Sequence, residues 1–221
     1  MTGVLALVGG GEWREGCTFD AELLAASGGT EVVVLPTAAA YEGAAKAVAF
    51  ATRWFEGLGA TVRGLDVIER HDALDPAHAQ VVREARFVYL SGGSPLHLRS
   101  VLKESPVWDA LSAAWHDGAV VAGSSAGAMV LCDPMVDPRG GALTVGLGML
   151  ENLAVVPHAP AGSFAADHRR TLELVTGGIT VAGIDEQTAL LRDGSGTWRA
   201  AGAGTTSVWR DGAEVGLGAL P

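Results

Sequence analysis

The stretch from Ala119 to Leu131, AVVAGSSAGAMVL, decides how this chain is read. A short apolar run leads into a cluster of the smallest residues and then into helix formers, the pattern of a strand turning sharply into a helix. Within it Gly123, Ser124, Ser125, Ala126 and Gly127 match G-x-S-x-G. Such a turn holds Ser125 in a strained backbone conformation as a candidate nucleophile, and neighbours larger than Gly or Ala would collide. It also sets the serine beside a helix N-terminus, whose free N–H groups and dipole can stabilise a developing oxyanion. Tight packing of a helix on a sheet would select the same small residues, so the decision falls to the partners of Ser125.

Outward from this turn, apolar strand-like runs alternate with segments of helical periodicity. VLALVG, EVVVLP, TVRGLDVI, RFVYLSG and AVVAGS read as five short strands rich in Val and Leu. Helices are expected at Tyr41 to Leu58, at Asp75 to Ala85, from the Ser105-Pro106 signal to Gly118, and around Ala166 to Val175. The final third, with its Asp-Gly and Gly-Ser-Gly turns, reads as short strands forming an antiparallel extension of the same sheet. No linker or repeat divides the chain, so residues 1–221 are expected to form a single α/β domain, a parallel sheet with helices on both faces.

Composition bounds the function. With 221 residues, 48% of them hydrophobic, the chain can bury a substantial core. A formal charge of -10 argues against nucleic acid, whose phosphates call for a basic face. Thirty-one glycines and two tyrosines favour tight turns over aromatic platforms for bases. The start, MTGVLALVGGGEWREG, lacks a basic leader, and its apolar run is too short for a signal core or a membrane span, so a cytoplasmic protein without membrane contact is expected. Cys17 and Cys132, with no CxxC pair, give neither a disulfide framework nor a structural zinc site.

A serine nucleophile needs a base, and the base an orienting acid. His71, His78, His97, His116 and His168 stand in polar helix or loop settings where solvation explains them. His158 differs, because LAVVPHAPAG sets it after an apolar run at a strand end, where α/β proteins keep their sites. For the acid, Asp185 and Glu186 occupy a turn between two apolar runs, and Asp133 and Asp137, soon after the elbow, are rivals.

With LVGGGE at the first strand, YLSGGSPLHL after the fourth, AGSSAGA at the elbow, VVPH and GIDEQTALL, the chain resembles the dipeptidase E and cyanophycinase family of serine peptidases. That resemblance implies a flavodoxin-like, class I glutamine amidotransferase-like fold, with Ser125 as nucleophile and His158 as base. By the cyanophycinase branch the acid is Glu186; by the dipeptidase branch, where it follows the serine more closely, Asp133 or Asp137. The resemblance further implies an oxyanion hole from the N–H groups of Gly93 and Ala126, and substrate contacts from Gly92, Ser94 and Arg170. Two departures stand out. Ser94 and Pro95 follow the paired glycines where relatives carry Asn, Asp or Gln, and Pro157, His158 and Ala159 replace Gln-His-Phe, which argues against cleavage of the cyanophycin polymer.

The resulting expectation is a hydrolase of a short peptide or related small amide, Asp-X dipeptides among them, that needs no metal or organic cofactor. The alternative is a non-catalytic relative that binds a small molecule or a partner. Burial of His158 away from Ser125 would favour binding, and hydrogen-bond reach would favour hydrolysis. A dinucleotide site at LVGGGEWREG is disfavoured because the G-x-G-x-x-G spacing fails at Arg14 and no ribose-binding acid ends the second strand. Glutamine amidotransfer is disfavoured because serine stands where that chemistry uses a cysteine thiolate. A homodimer stays open, since exposure of the six tryptophans is not legible here.

Overall fold

The computed structural model describes residues 2–221. Its first half alternates β1 (Leu5–Val8), α1 (Phe19–Ser27), β2 (Glu31–Leu35), α2 (Ala44–Gly57), β3 (Thr61–Gly64), α3 (Arg70–Ala73), α4 (Pro76–Glu84), β4 (Phe87–Leu90), α5 (Pro95–Leu102), α6 (Pro106–His116), β5 (Val120–Ser124) and α7 (Ala126–Leu131). Four two-residue strands follow: β6 (Cys132–Asp133), β7 (Met135–Val136), β8 (Leu143–Thr144) and β9 (Leu150–Glu151). The chain closes with β10 (Leu153–Pro157), α8 (Phe164–Asp167), α9 (Arg169–Leu174), β11 (Thr180–Ile184), β12 (Thr188–Arg192), β13 (Trp198–Gly202), β14 (Thr206–Arg210) and β15 (Ala213–Val215).

The central sheet runs β13-β12-β1-β5-β4-β2-β3, with β1 to β5 parallel and β12 and β13 antiparallel to their neighbours. Its inner strands are continuous apolar runs because both faces are covered. Leu5, Leu7, Val33, Leu35, Val88, Leu90 and Val121 point into one core, which α5, α6 and α7 cover. The alternate residues Ala6, Val8, Val32, Val34, Phe87, Tyr89 and Ala122 point into the other, closed by Phe19 and Leu23 of α1 and Ala51 and Phe55 of α2. Ser94 and Ser105 cap α5 and α6 by accepting from the N–H groups of His97 and Trp108, each followed by proline at the first helical position.

Three expectations are corrected. The strand-like run TVRGLDVI is a strand only over Thr61–Gly64, because β3 is the sheet edge and the chain folds inward beyond it to bury Leu65 and Val67. The final third is only partly an extension of the central sheet. β12 and β13 join it, but β10-β11-β14-β15 form a second, four-stranded sheet in which β10 and β11 are parallel. The flank of β1 is already taken by β12, and Val155, Val181 and Val208 instead bury themselves with α7 in the first core. The helical stretch after His158 is broken into α8 and α9 at His168.

α1 and α2 are joined by Asp20, fully buried, whose Oδ2 accepts from Trp54 Nε1 at 2.9 Å, while Oδ1 finds no partner among the described residues. Burial pushes this carboxyl up to about 8. Its folded-state value lies above the unfolded one of about 3.9, so the native state holds a proton that the unfolded chain releases. The stability this confers is full below about pH 4 and is lost as pH rises through about 8. Urea midpoints of the native chain should therefore fall over this range more steeply than those of Asp20→Asn; parallel curves would show that Asp20 does not titrate there.

Candidate functional site

The carboxyl ends of β1, β4 and β5, neighbours in the central sheet, open onto a cleft of about 920 Å³ that includes Gly92, Gly93, Ser125, His158 and Glu186. Ser125 occupies the turn from β5 into α7 with φ 47° and ψ -106°, a conformation L residues rarely adopt. Its N–H donates to Val8 O at 2.8 Å and its carbonyl accepts from Met129 N at 3.0 Å, pinning the turn on both sides. The flanking glycines are steric necessities. A Cβ at Gly123 would lie 2.6 Å from the Gly127 carbonyl carbon, and one at Gly127 would lie 2.6 Å from Leu90 O.

His158 follows β10 and Glu186 follows β11, so the parallel pairing of these strands brings both side chains to the same rim. Ser125 Oγ lies 2.9 Å from His158 Nε2, and His158 Nδ1 lies 3.0 Å from Glu186 Oε1. The imidazole and the carboxylate are about half exposed, at 50% and 49%. Hydrogen bonding from His158 holds the Glu186 carboxyl below the usual carboxylate range; partial burial works the other way, and a further bond from Gln187 adds to the lowering. An ionised Glu186 only accepts, so it favours the imidazole tautomer with its proton on Nδ1 and leaves Nε2 to accept from the serine hydroxyl.

The rival acids lie elsewhere. Asp133 Oδ1 accepts from Gly146 N at 2.7 Å. Asp137 is chelated by Arg139, whose bonds hold its carboxyl down at about 2. Asp185 lies beside Glu186 but turns its Oδ1 to the Glu186 N–H at 2.8 Å. Gly92 and Gly93 line the cleft, whereas the Ser94 side chain is occupied in capping α5. Arg170 does not line the cleft of Ser125: it borders a separate cavity with Asp137, Arg139 and His168. Arg169 pairs loosely with Glu173 on the same helix. Among the described residues, no group of three or more His, Cys, Asp or Glu side chains is placed to hold a metal ion. No helix there is long and apolar enough to cross a membrane.

The cleft also holds residues that sequence reasoning passed over. Lys46 and Arg53 of α2 each stand 5.6 Å from the ring of Phe50. Glu12, from the loop after β1, accepts from Gly92 N at 3.0 Å and from Ser124 Oγ at 2.8 Å. The signal for Glu12 was its place directly after a glycine run at the carboxyl end of a parallel strand.

With this geometry in view, the known relatives are informative. The model of Peptidase family S51 matches residues 5–198. Cyanophycinases from Synechococcus elongatus and Thermosynechococcus vestitus are each 26% identical over a 166-residue alignment that covers 66% of this chain. That match takes in 49% of either cyanophycinase, so the chain spans about half the length of these curated relatives. The crystal structure of a peptidase from an acI-B1 actinobacterium superposes with a TM-score of 0.83 at 30% identity, covering 97% of this chain and 93% of that one. A candidate peptidase E protein from Listeria monocytogenes EGD-e shares the fold, with a TM-score of 0.68 at 17% identity over 93% of this chain and 100% of its own. A family match that begins at β1, runs through the Ser125 turn and both rim loops and ends at the start of β13 leaves one conclusion: this chain belongs to peptidase family S51.

Proposed function

We propose that the chain is a serine-type hydrolase that cleaves a short peptide or related small amide through an acyl-enzyme on Ser125. The observation that carries this reading is the hydrogen-bonded series Ser125 Oγ to His158 Nε2 at 2.9 Å and His158 Nδ1 to Glu186 at 3.0 Å. These are the contacts a nucleophile, its base and the orienting acid require. In the reaction, Ser125 Oγ attacks the scissile carbonyl carbon while its proton passes to Nε2. The carbonyl π electrons move onto oxygen, and the N–H groups of Gly93 and Ala126 stabilise that charge. Ala126 opens α7, where an N–H has no intrahelical acceptor.

The imidazolium, stabilised by ionised Glu186, then protonates the leaving amine as the C–N bond breaks. Water, deprotonated by the same nitrogen, attacks the acyl-serine and frees the acid. The doubly covered sheet supports placing the chain in the flavodoxin-like, class I glutamine amidotransferase-like arrangement. Asp-X dipeptides are the first substrates we infer, from the family. We place the enzyme in the cytoplasm, because Cys17 and Cys132 are buried and unpaired, as suits a reducing compartment.

Intact mass after treatment with a fluorophosphonate tests the reading. One adduct, mapped to Ser125 and absent from Ser125→Ala and His158→Ala, is expected; an unlabelled native chain would favour a non-catalytic binding protein. On any substrate turned over, Ser125→Ala should lower kcat by at least about a thousandfold, and near-native turnover would remove Ser125 as nucleophile. The role of Glu186 has its own measurement. In His158→Ala its carboxyl titration, followed by carbon NMR, should move up toward the ordinary glutamate value of about 4.3. An unmoved curve would mean the two side chains are not coupled in solution.

A further inference from the structure

Glu12 is half-buried at the floor of the cleft, and each of its carboxylate oxygens accepts a hydrogen bond from a different loop. Oε1 takes the N–H of Gly92 at 3.0 Å, and Oε2 takes the hydroxyl of Ser124 at 2.8 Å. Gly92 immediately precedes Gly93, and Ser124 immediately precedes Ser125 and Ala126. One side chain from the β1 loop therefore grips both segments that present the proposed oxyanion donors. The space is cut to suit it, since a Cβ on Gly92 would lie 3.1 Å from Glu12 Oε1 and 3.5 Å from Ser125 Cβ.

We propose that Glu12 is a positioning residue, a clamp that sets the Gly93 loop at the distance from the Ser125 turn that a tetrahedral oxyanion needs. The proposal rests on the serine-hydrolase reading. A carboxylate suits the task because its two oxygens accept a backbone N–H and a hydroxyl together. Its charge does not serve the chemistry, because a negative group near a developing oxyanion opposes it. Geometry is then what Glu12 supplies. Glutamine can reproduce it, with its carbonyl accepting from Gly92 N–H and its amide donating to a reoriented Ser124 hydroxyl; alanine cannot.

The test compares native protein with Glu12→Gln, Glu12→Ala, Ser124→Ala and Ser125→Ala, using p-nitrophenyl acetate turnover, the rate of fluorophosphonate labelling and thermal melting. Glu12→Ala should lose about thirty- to a hundredfold in kcat and in labelling rate with KM moved less than about threefold, approaching the loss of an oxyanion donor. Glu12→Gln should recover to within about threefold of native. If Glu12→Ala does not fold, Ser124→Ala, which removes one arm of the clamp, should still lose about five- to tenfold in kcat at a native-like Tm. The proposal is overturned by a native kcat in Glu12→Ala, by a Glu12→Gln as impaired as Glu12→Ala, by a loss lying wholly in KM, or by a native Ser124→Ala beside an unfolded Glu12→Ala. A native chain inert to both probes overturns the hydrolase reading and the clamp with it. Native activity that is lost in Ser125→Ala but intact in Glu12→Ala overturns the clamp alone.

Discussion

The geometry around Ser125 depends on one constraint: three loops close against the bare backbone that follows β1. His158 N–H donates to Gly9 O at 2.8 Å, Gln187 N–H to Gly10 O at 2.8 Å, and Gly9 N–H to Thr188 O at 2.9 Å. One residue earlier, Val8 O takes the Ser125 N–H. The loops carrying the serine, the histidine and the glutamate are thus all registered to one stretch of chain. Side chains there would prevent it. A Cβ at Gly9 would lie 2.2 Å from Asp185 O, and one at Gly10 would lie 2.3 Å from His158 Cε1. β1 can do this because it lies between β5 and β12, with the Ser125 turn on one flank and the Glu186 turn on the other.

This arrangement explains how two sheets build one site. The serine comes from the parallel central sheet, whereas His158 and Glu186 come from the ends of β10 and β11 in the second sheet. Backbone hydrogen bonds to the β1 loop join them, each contributing on the order of 1 kcal/mol net. The acceptors Gly9 and Gly10 are buried, while the imidazole and carboxylate stay half exposed. Hydrogen-bonded backbone and accessible side chains are therefore separated in space.

How much of this was legible in the sequence follows from the range of each interaction. β1, β2, β4 and β5 read clearly because both faces of these inner strands are buried, which leaves continuous apolar runs, whereas β3, at the exposed edge, read too long. The Ser125 turn read clearly because its steric demand falls on immediate neighbours. His158 stood out by its place after an apolar run and Pro157. The choice among acids was not local: Asp185 and Glu186 are adjacent, and which one meets His158 depends on how the turn is seated on Gly10 by Gln187. The split of the last third into two sheets was illegible too, because β11 and β12 are consecutive in sequence but choose different partners. Arg170 was drawn toward the site by the resemblance, yet it borders the separate cavity beside Asp137. Glu12 was passed over, since its acceptor role depends on Gly92 and Ser124, far along the chain.

Backbone strain follows the same geography. Among non-glycine residues with positive φ, Trp13, Ser125, His158 and Gln187 flank the cleft or its rim, whereas Glu104, Asn152 and Asp211 lie in turns elsewhere. Each such residue costs on the order of 1–3 kcal/mol and persists only where its surroundings over-determine it. For Ser125, His158 and Gln187 the over-determination is visible, because each donates its own N–H to the backbone at Val8, Gly9 or Gly10. A strained residue so held cannot relax without breaking that backbone hydrogen bond. The strain at Ser125 is therefore best understood as the cost of aiming a short side chain out of a packed turn, offset by the bond to Val8 of β1 on one side and the bond from Met129 of α7 on the other.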